Sequence, residues 1–191
     1  MGRESAGKPA ILDRHTAMVE IVNGYIPGAI GRIVELHGTF YARRAGFGLY
    51  FESKVARELC EFLQRYHEGR DCLWLAINHG KIEGSIAIDG IHAEIEGAHL
   101  RWFIVSDPLR GCGTGRQLLE KSLDFCRARS YESVYLWTFG GLDAARRLYE
   151  KCGFKLTRQQ RGAQWGIEVN EQRFELPIRT QPGAAAAADV Q

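Results

Sequence analysis

The sequence has almost no excess of either charge. Its 25 lysines and arginines are balanced by 23 aspartates and glutamates, so the formal net charge is only +2. A protein whose main partner is DNA or RNA usually carries a strongly basic surface. The composition therefore argues against nucleic acid as a partner.

The sequence also lacks C-x-x-C cysteine pairs and any long apolar run. Its five cysteines are an odd number, and none of them belongs to a C-x-x-C pair. No secretory leader or membrane-spanning segment is predicted. We expect a cytoplasmic protein with reduced thiols, no metal site and no membrane association.

No internal repeat, low-complexity core or linker divides the chain. At 191 residues and 45% apolar content, it is long enough to build one domain with a real core. The stretches MGRESAGKPA and QPGAAAAADVQ are rich in small residues and have little apolar area to bury. We predict flexible tails over residues 1–15 and 179–191, with a single domain over 16–178.

Hydrophobic periodicity predicts an α/β fold. A first strand within residues 17–26 is followed by two amphipathic helices, with apolar positions at helical spacing in 28–41 and 55–66. A hairpin around the turn NHGK and a strand over 96–105 come next. A glycine-rich loop then opens another helix, and a strand, a helix that ends at Gly153 and two last strands follow. This order indicates a mixed, mostly antiparallel central sheet flanked by about four helices.

The stretch RGCGTGR, at residues 110–116, carries the most functional information. Three glycines alternate there, Gly111, Gly113 and Gly115, between a predicted strand and a predicted helix. A loop of this kind leaves backbone N–H groups unpaired at the positive end of the helix dipole, where a phosphate binds well. A Cβ at these positions would keep a bulky diphosphate away from the N–H groups.

Two familiar phosphate-binding loops do not fit this stretch. A dinucleotide-binding fingerprint that starts at Gly111 needs a small residue where the chain has Arg116, and a P-loop needs G-K-[ST]. Arg110 and Arg116 instead place a positive charge at each end of the loop. A turn that only joins strand to helix stays open as an alternative, because short motifs are weakly specific.

The loop RGCGTG, between WFIV and RQLL, resembles the R/Q-x-x-G-x-G/A signature of the GCN5-related N-acetyltransferase (GNAT) family. The stretch DAARRLYEKCGF, at 143–154, resembles a second family signature, A-x-x-x-Y-x-x-x-G-F. The residues that match this second signature are Ala145, Tyr149, Gly153 and Phe154. Two signatures in the right order are far more specific than either one.

The resemblance extends over about residues 17–177. It is closest to the acetyltransferase half of bacterial proteins that fuse a MarR-type DNA-binding domain to such a domain, and no DNA-binding half is expected here. The sequence departs from the family at two places. Asp107 stands where the family usually has proline, and the asparagine common after the fifth strand is replaced within TFGG.

The resemblance implies that the chain binds acetyl-CoA and transfers the acetyl group directly, in a ternary complex, to an amine of a small molecule or a protein. In the family, the glycine loop binds the diphosphate, and free N–H groups of the preceding strand hold the thioester carbonyl. The implied cofactor-binding residues are Phe103, Ile104, Val105, Arg110, Gly111, Cys112, Gly113, Thr114, Gly115 and Arg116. Cys112 is not expected to be a nucleophile, because no histidine is adjacent.

Two residues are candidates for the proton transfers. Tyr149 matches the family tyrosine that protonates the coenzyme A thiolate, although a core aromatic is the alternative. The histone-acetyltransferase branch has a basic glutamate eleven residues before the first motif residue, and that count leads from Arg110 to His99. An imidazole with the ordinary pKa of about 6.5 is suited to accept a proton near neutral pH. A structural histidine is an equal alternative, with Glu94 and Glu96 as fallback bases.

Strand alternation predicts which of these residues share a face. The residues on one predicted face are His99, Arg101, Phe103 and Val105, and those on the other are Leu100, Trp102 and Ile104. His37 and Tyr41, on the first helix, are candidate substrate-binding residues because the first two helices wall the acceptor side in this family. Packing against the sheet is the favoured alternative for this pair.

The predicted function is that of an acetyl-CoA-dependent N-acetyltransferase acting on an unidentified amine. The alternative is a module on the same fold that binds acyl-CoA as a sensor, or docks a partner, without turnover. A longer acyl donor is a third option. The sequence leaves a homodimer open.

Overall fold

The computed structural model describes residues 19–178, so the tails predicted at 1–15 and 179–191 lie outside the described residues. The elements in chain order are β1 (Glu20–Asn23), α1 (Ala29–Ala45), α2 (Leu49–Gln64), β2 (Cys72–Asn78), β3 (Lys81–Asp89), α3 (Ala93–Glu96), β4 (Ala98–Val105), α4 (Thr114–Ala128), β5 (Ser133–Phe139), α5 (Asp143–Lys151), β6 (Lys155–Gly162) and β7 (Val169–Pro177). A 3₁₀ turn at Asp107–Leu109 separates β4 from the glycine loop.

The described strands form one sheet in the order β1-β2-β3-β4-β5-β7-β6. Every neighbouring pair is antiparallel except β4 and β5, which are parallel. Four long helices and the short α3 accompany the sheet. The predicted α/β fold with a mixed, mostly antiparallel sheet is therefore confirmed.

The sheet separates two apolar cores. Ile33 of α1 and Leu59 of α2 pack with sheet residues on one face, while Leu118 and Leu119 of α4 pack on the other face. All four side chains are fully buried. Burial of one such side chain contributes about 1.5–3 kcal/mol, so each helix is held mainly by its apolar stripe.

The two parallel strands separate soon after they meet. β4 and β5 pair only at Ala98 with Val134 and at His99 with Tyr135. Beyond these pairs, β4 continues against β3 while β5 continues against β7. The facing edges therefore lack ladder partners in the middle of the sheet, and exposed backbone polar groups of this kind need a partner.

A β-bulge interrupts β4 next to this opening. The ladder pairs Ser85 with Ile104 but then Ala87 with Arg101, so two residues of β4 lie opposite one residue of β3. Trp102, inside the bulge, has a φ of +46°, and its carbonyl accepts a 2.7 Å hydrogen bond from the Ser85 hydroxyl. The extra residue shifts the alternation of all side chains beyond it.

The bulge makes the predicted strand faces wrong. Trp102 packs in the core under α1 and α2, on the side where Arg101 contacts α2. Leu100 and Phe103 both pack on the side of α4 and α5. Regular alternation would have placed each of these two pairs on opposite faces.

Candidate active site

A groove of about 900 Å³ lies between the glycine loop, β4, α5 and the C-terminal end of α1. The predicted cofactor-binding residues that line it are Phe103, Ile104, Val105, Arg110, Gly111, Gly113, Gly115 and Arg116. Thr114 is buried beneath the loop, and the exposed Cys112 directs its Sγ at the carbonyls of Pro108 and Arg110. These two side chains do not line the groove, although both were predicted to bind the cofactor. We call this space the donor groove.

The start of α4 presents unpaired amides to the donor groove. Gly113 precedes the helix in the left-handed conformation, with a φ of +86°, and no side chain caps it. The first backbone bond of the helix runs from the Gln117 N–H to the Gly113 carbonyl at 3.1 Å. The N–H groups of Thr114, Gly115 and Arg116 donate to no described residue. Such donors at the positive end of a helix suit an anion such as a diphosphate.

The charges around the donor groove favour the same kind of ligand. Five cationic side chains and one carboxylate, that of Asp143, are among the lining residues. The cations are Arg44, Arg110, Arg116, Arg147 and Lys151. A ligand with several phosphate oxygens therefore fits the charge and the amide donors of this groove.

Asp107, which stands where the family usually has proline, forms two ion pairs next to the glycine loop. Its carboxylate pairs with Arg110 of the loop and, at 3.3 Å, with Arg43 of α1. The Arg110 guanidinium also lies 4.1 Å from the centroid of the Phe40 ring. These groups are exposed, so they contribute little to stability. They tie the glycine loop to the end of α1.

A second cavity, of about 540 Å³, lies between α1, α2, the separated strands and the loop that joins β6 to β7. The predicted residues His37, Tyr41 and His99 all line it. Tyr41, Phe103 and Tyr149 line both this cavity and the donor groove. The two spaces thus meet at these three side chains, and we call the second one the acceptor cavity.

Tyr149 is both a packed aromatic and a residue of the junction. Only 6% of it is exposed, and its ring lies 6.0 Å from that of Phe103. Its hydroxyl has no hydrogen-bond partner among the described residues. Burial, followed by the neighbouring Tyr41, raises the pKa of Tyr149 far above its ordinary value. The phenol therefore keeps its proton at every pH at which the protein would work.

His99 lies in the acceptor cavity as a neutral ring. Its centroid is 4.4 Å from that of Tyr135, with the rings nearly parallel. Burial, followed by the positive charge of Arg101, lowers the pKa of His99 to about 3. The expectation that the pKa of this histidine lies near 6.5 is therefore wrong, because burial of the ring, and then the adjacent Arg101 on β4, disfavour the charged form.

The other predicted site residues differ in their placement. His37 is buried, and its Nδ1 lies 2.8 Å from the Ile33 carbonyl. Burial lowers the pKa of His37 to about 4 and raises that of Tyr41 to about 12. The fallback bases Glu94 and Glu96 are exposed on α3 and line neither cavity.

Several residues of the acceptor cavity were not predicted from the sequence. Lys54, Glu58 and Glu61 line it from α2, and the Glu58 carboxylate contacts both Lys54 and Arg101. Their spacing of four and three residues places them on one face of a helix. This spacing is the signal in the sequence that could have identified them. Trp165 comes from the β6–β7 loop. No local pattern marks it, because only the hairpin brings this loop over the cavity.

Neither space holds a metal-binding cluster. Within residues 19–178, no group of three or more histidine, cysteine, aspartate or glutamate side chains is arranged to hold a metal ion. No helix in the same range has the length and apolar character needed to cross a bilayer.

Comparison with known sequences gives consistent results. A model of the acetyltransferase (GNAT) family matches residues 36–154. N-acetylaspartate synthetase of Xenopus tropicalis is 31% identical over 117 residues, which cover 61% of this chain and 42% of the relative. The human N-acetylaspartate synthetase is 29% identical over the same length, with 38% of it covered. This chain thus spans about two fifths of these relatives.

Solved structures share the fold at lower identity. The protein yncA of Salmonella typhimurium, assigned as an acetyltransferase and solved with its cofactor acetyl-CoA, has a TM-score of 0.65 at 16% identity, with 87% of this chain and 99% of that chain covered. Spermidine N-acetyltransferase of Vibrio cholerae, in complex with CoA and spermine, has a TM-score of 0.63 at 18% identity, with 82% and 95% covered. At such identities the likeness concerns the fold alone. The family model, however, covers more than half of the sequence, and the chain therefore belongs to the GNAT acetyltransferase family.

Proposed function

We propose that this protein is an N-acetyltransferase that takes an acetyl group from acetyl-CoA and moves it directly to an amine. The observation that carries the proposal is the meeting of the donor groove and the acceptor cavity at Tyr41, Phe103 and Tyr149. A second space that opens onto the donor groove suits a transferase better than a sensor, which needs only the groove. The names of the relatives, and the acetyl-CoA in the Salmonella structure, support the same reaction class.

The donor groove has the groups that acetyl-CoA requires. The amides at the start of α4 and the five cations of the groove would bind its phosphates. When bound, acetyl-CoA supplies an activated thioester. The edge of β4 that faces β5 lacks ladder partners beyond His99, and its N–H groups would donate to the thioester oxygen. Donors fixed by a strand need little reorganisation as charge develops on that oxygen.

Two side chains, Tyr149 and His99, would assist the proton transfers of the reaction. Tyr149 keeps its phenolic proton because burial raises its pKa. It lines both spaces where they meet, so we assign to it the proton that the departing sulfur takes up. His99 stays neutral and has no hydrogen-bond partner among the described residues, so one ring nitrogen would accept a hydrogen bond from the acceptor amine, directly or through water.

Transfer without an acyl-enzyme agrees with the positions of the cysteines. All five are free thiols within the described residues, and none lines either space. The odd number of cysteines and the lack of a C-x-x-C pair are the basis for proposing a cytoplasmic location. A close relation of this chain to the acetyltransferase half of MarR fusion proteins stays a prediction. Its assembly into a homodimer also stays a prediction.

The test is the release of free thiol from acetyl-CoA with a panel of amines, amino acids and peptide N-termini. Direct transfer predicts that double-reciprocal plots at several acceptor concentrations intersect. Parallel plots would indicate a covalent intermediate and contradict direct transfer. Tight coenzyme A binding with no thiol release for any acceptor would favour the sensor alternative.

A further inference from the structure

One side of the acceptor cavity is built from aromatic rings. Its members, which we call the aromatic wall, are Tyr41, Phe47, Phe51, Phe139 and Trp165. Phe47 lies at the centre of the wall, with ring centroids 5.0 Å from Phe51, 5.1 Å from Phe139 and 6.2 Å from Trp165. The rings come from two helices, their connector, β5 and the β6–β7 loop. Such a surface favours an apolar or aromatic group.

The remaining charge in the cavity is balanced. Lys54 and Arg101 are its cations, and Glu58 and Glu61 are its carboxylates. Glu58 pairs with both cations, and Arg101 also lies 3.5 Å from the Asp89 carboxylate behind the cavity. The two histidines that line it are neutral, because burial lowers the pKa of each. The cavity therefore has no net charge to attract a polycation or a dianion. A ligand with one charge of each sign matches it best.

We propose that the acceptor is a zwitterionic α-amino acid with an aromatic or bulky apolar side chain. This inference rests on the proposed acetyl transfer and names its substrate. Lys54 and Arg101 hold the carboxylate, the aromatic wall holds the side chain, and the amine lies toward the junction at Tyr149. The carboxylate, the side chain and the amine of one amino acid thus each contact a chemically different region of the cavity.

The reaction at this site conserves all atoms. The amine nitrogen forms a bond to the acetyl carbon while the carbon–sulfur bond breaks. The ammonium group of the zwitterion first releases one proton to solvent. The neutral nitrogen then gives up a second proton as the amide forms, and the sulfur gains one, so the products are the N-acetyl amino acid, coenzyme A thiol and one released proton. No oxidant, reductant or water is consumed.

The same arrangement disfavours the amino acid in the relatives' name. Aspartate would place a second carboxylate against the aromatic wall, where it would lose hydration without gaining a partner. We therefore expect a different acceptor from that of the N-acetylaspartate synthetases.

The first experiment compares kcat/KM for L-phenylalanine, L-alanine, L-aspartate and L-phenylalaninamide. We expect L-phenylalanine to exceed each of the others at least tenfold. Equal values for L-phenylalanine and its amide would overturn the carboxylate subsite. A value for L-alanine or L-aspartate that matches or exceeds that of L-phenylalanine would overturn the role of the aromatic wall.

A variant tests the assigned cation. Lys54→Met keeps the length and apolar stem of the side chain, and Glu58 keeps Arg101 as a partner. The preference for L-phenylalanine over L-phenylalaninamide should fall about tenfold, mainly through KM. Lys81→Met, at an exposed lysine outside the cavity lining, should leave that preference unchanged. A preference that also survives Lys54→Met would contradict the assignment.

Binding without turnover separates this inference from the proposed function. L-phenylalanine is titrated calorimetrically into the protein saturated with coenzyme A, and Trp165→Leu should weaken its binding at least fivefold. If L-phenylalanine binds in this way but no amine releases thiol, the cavity is a binding site for such amino acids and the proposed function fails. If other amines release thiol while L-phenylalanine does not bind, the acceptor class fails and the proposed function stands.

Discussion

His99 shows how one neighbour changes what a residue can do. An exposed histidine changes charge near neutral pH, but half-enclosure in the cavity and the adjacent Arg101 lower the pKa of His99 to about 3. The ring is then uncharged under all working conditions. It can accept a hydrogen bond from an amine, yet it is a weak base, so the amine must lose its proton through its own ionisation.

We predict that the rising limb of kcat/KM with pH belongs to the acceptor and not to His99. The limb should move between two acceptors of different basicity and should be the same in His99→Gln. The plateau should fall by about 10²-fold, the low end for general-base catalysis, because a proton acceptor is lost. Steady-state kinetics from pH 6 to 9 provide the measurement. A limb near pH 6.5 that disappears in the variant would contradict the lowered pKa.

The substitution Tyr149→Phe distinguishes the role of the Tyr149 hydroxyl in catalysis from the role of its ring in packing. The ring contacts with Phe103 and Phe154 stay, and only the hydroxyl is removed. We expect kcat to fall at least tenfold with nearly unchanged acetyl-CoA affinity, because the proton donor for the departing sulfur is lost. Equal turnover by the two proteins would assign Tyr149 to the core alone.

At the scale of elements, the start of α4 combines a loop conformation with a binding function. Gly111 and Gly113 have φ values of +79° and +86°, in the left-handed region that favours glycine. Their conformation leaves the amides of the first helical turn without partners. The glycines are therefore needed for the left-handed backbone conformation, and this conformation leaves the N–H groups at the start of α4 free to bind an anion.

Gly113→Val should abolish the rise in melting temperature that acetyl-CoA causes in the parent protein. A ligand present at one hundred times its Kd stabilises the folded state by about 2.7 kcal/mol, which thermal unfolding detects easily. Gly80→Val is the matched control, because Gly80 also has a positive φ of +73° and open space at its Cβ but lies in the β2–β3 turn. An undiminished shift in folded Gly113→Val protein would remove the loop from the donor site.

At the scale of the whole molecule, enclosure of two histidines between helices and sheet makes folding sensitive to acid. The pKa values of His37 and His99 fall to about 4 and about 3 in the folded state, against about 6.5 when unfolded. Between these values the unfolded chain binds more protons. Stability is therefore complete above pH 6.5 and is lost as the pH falls toward 4 and 3.

We predict that the free energy of unfolding changes little from pH 8 to 7 and then decreases by up to about 2.7 kcal/mol per pH unit between pH 6 and 5, since each histidine accounts for about 1.4. Urea unfolding at these pH values checks the slope. His99→Gln should halve it, whereas His92→Gln, at an exposed histidine, should not change it. A flat profile down to pH 5 would contradict both lowered pKa values.

The sequence by itself determined the order of elements, the mixed sheet, the glycine loop and the two family signatures, because these depend on local periodicity, on glycine conformation and on short spacings. It also predicted His99, Tyr41 and Tyr149 as site residues, and all three line the acceptor cavity. Only the tertiary structure decided the bulge at Trp102, which reversed the predicted strand faces, and the setting that keeps His99 neutral. The cavity that joins α2 to the β6–β7 loop is likewise a tertiary feature. Each of these depends on contacts between residues far apart in the chain, and a local pattern holds no information about which distant group lies beside a given side chain.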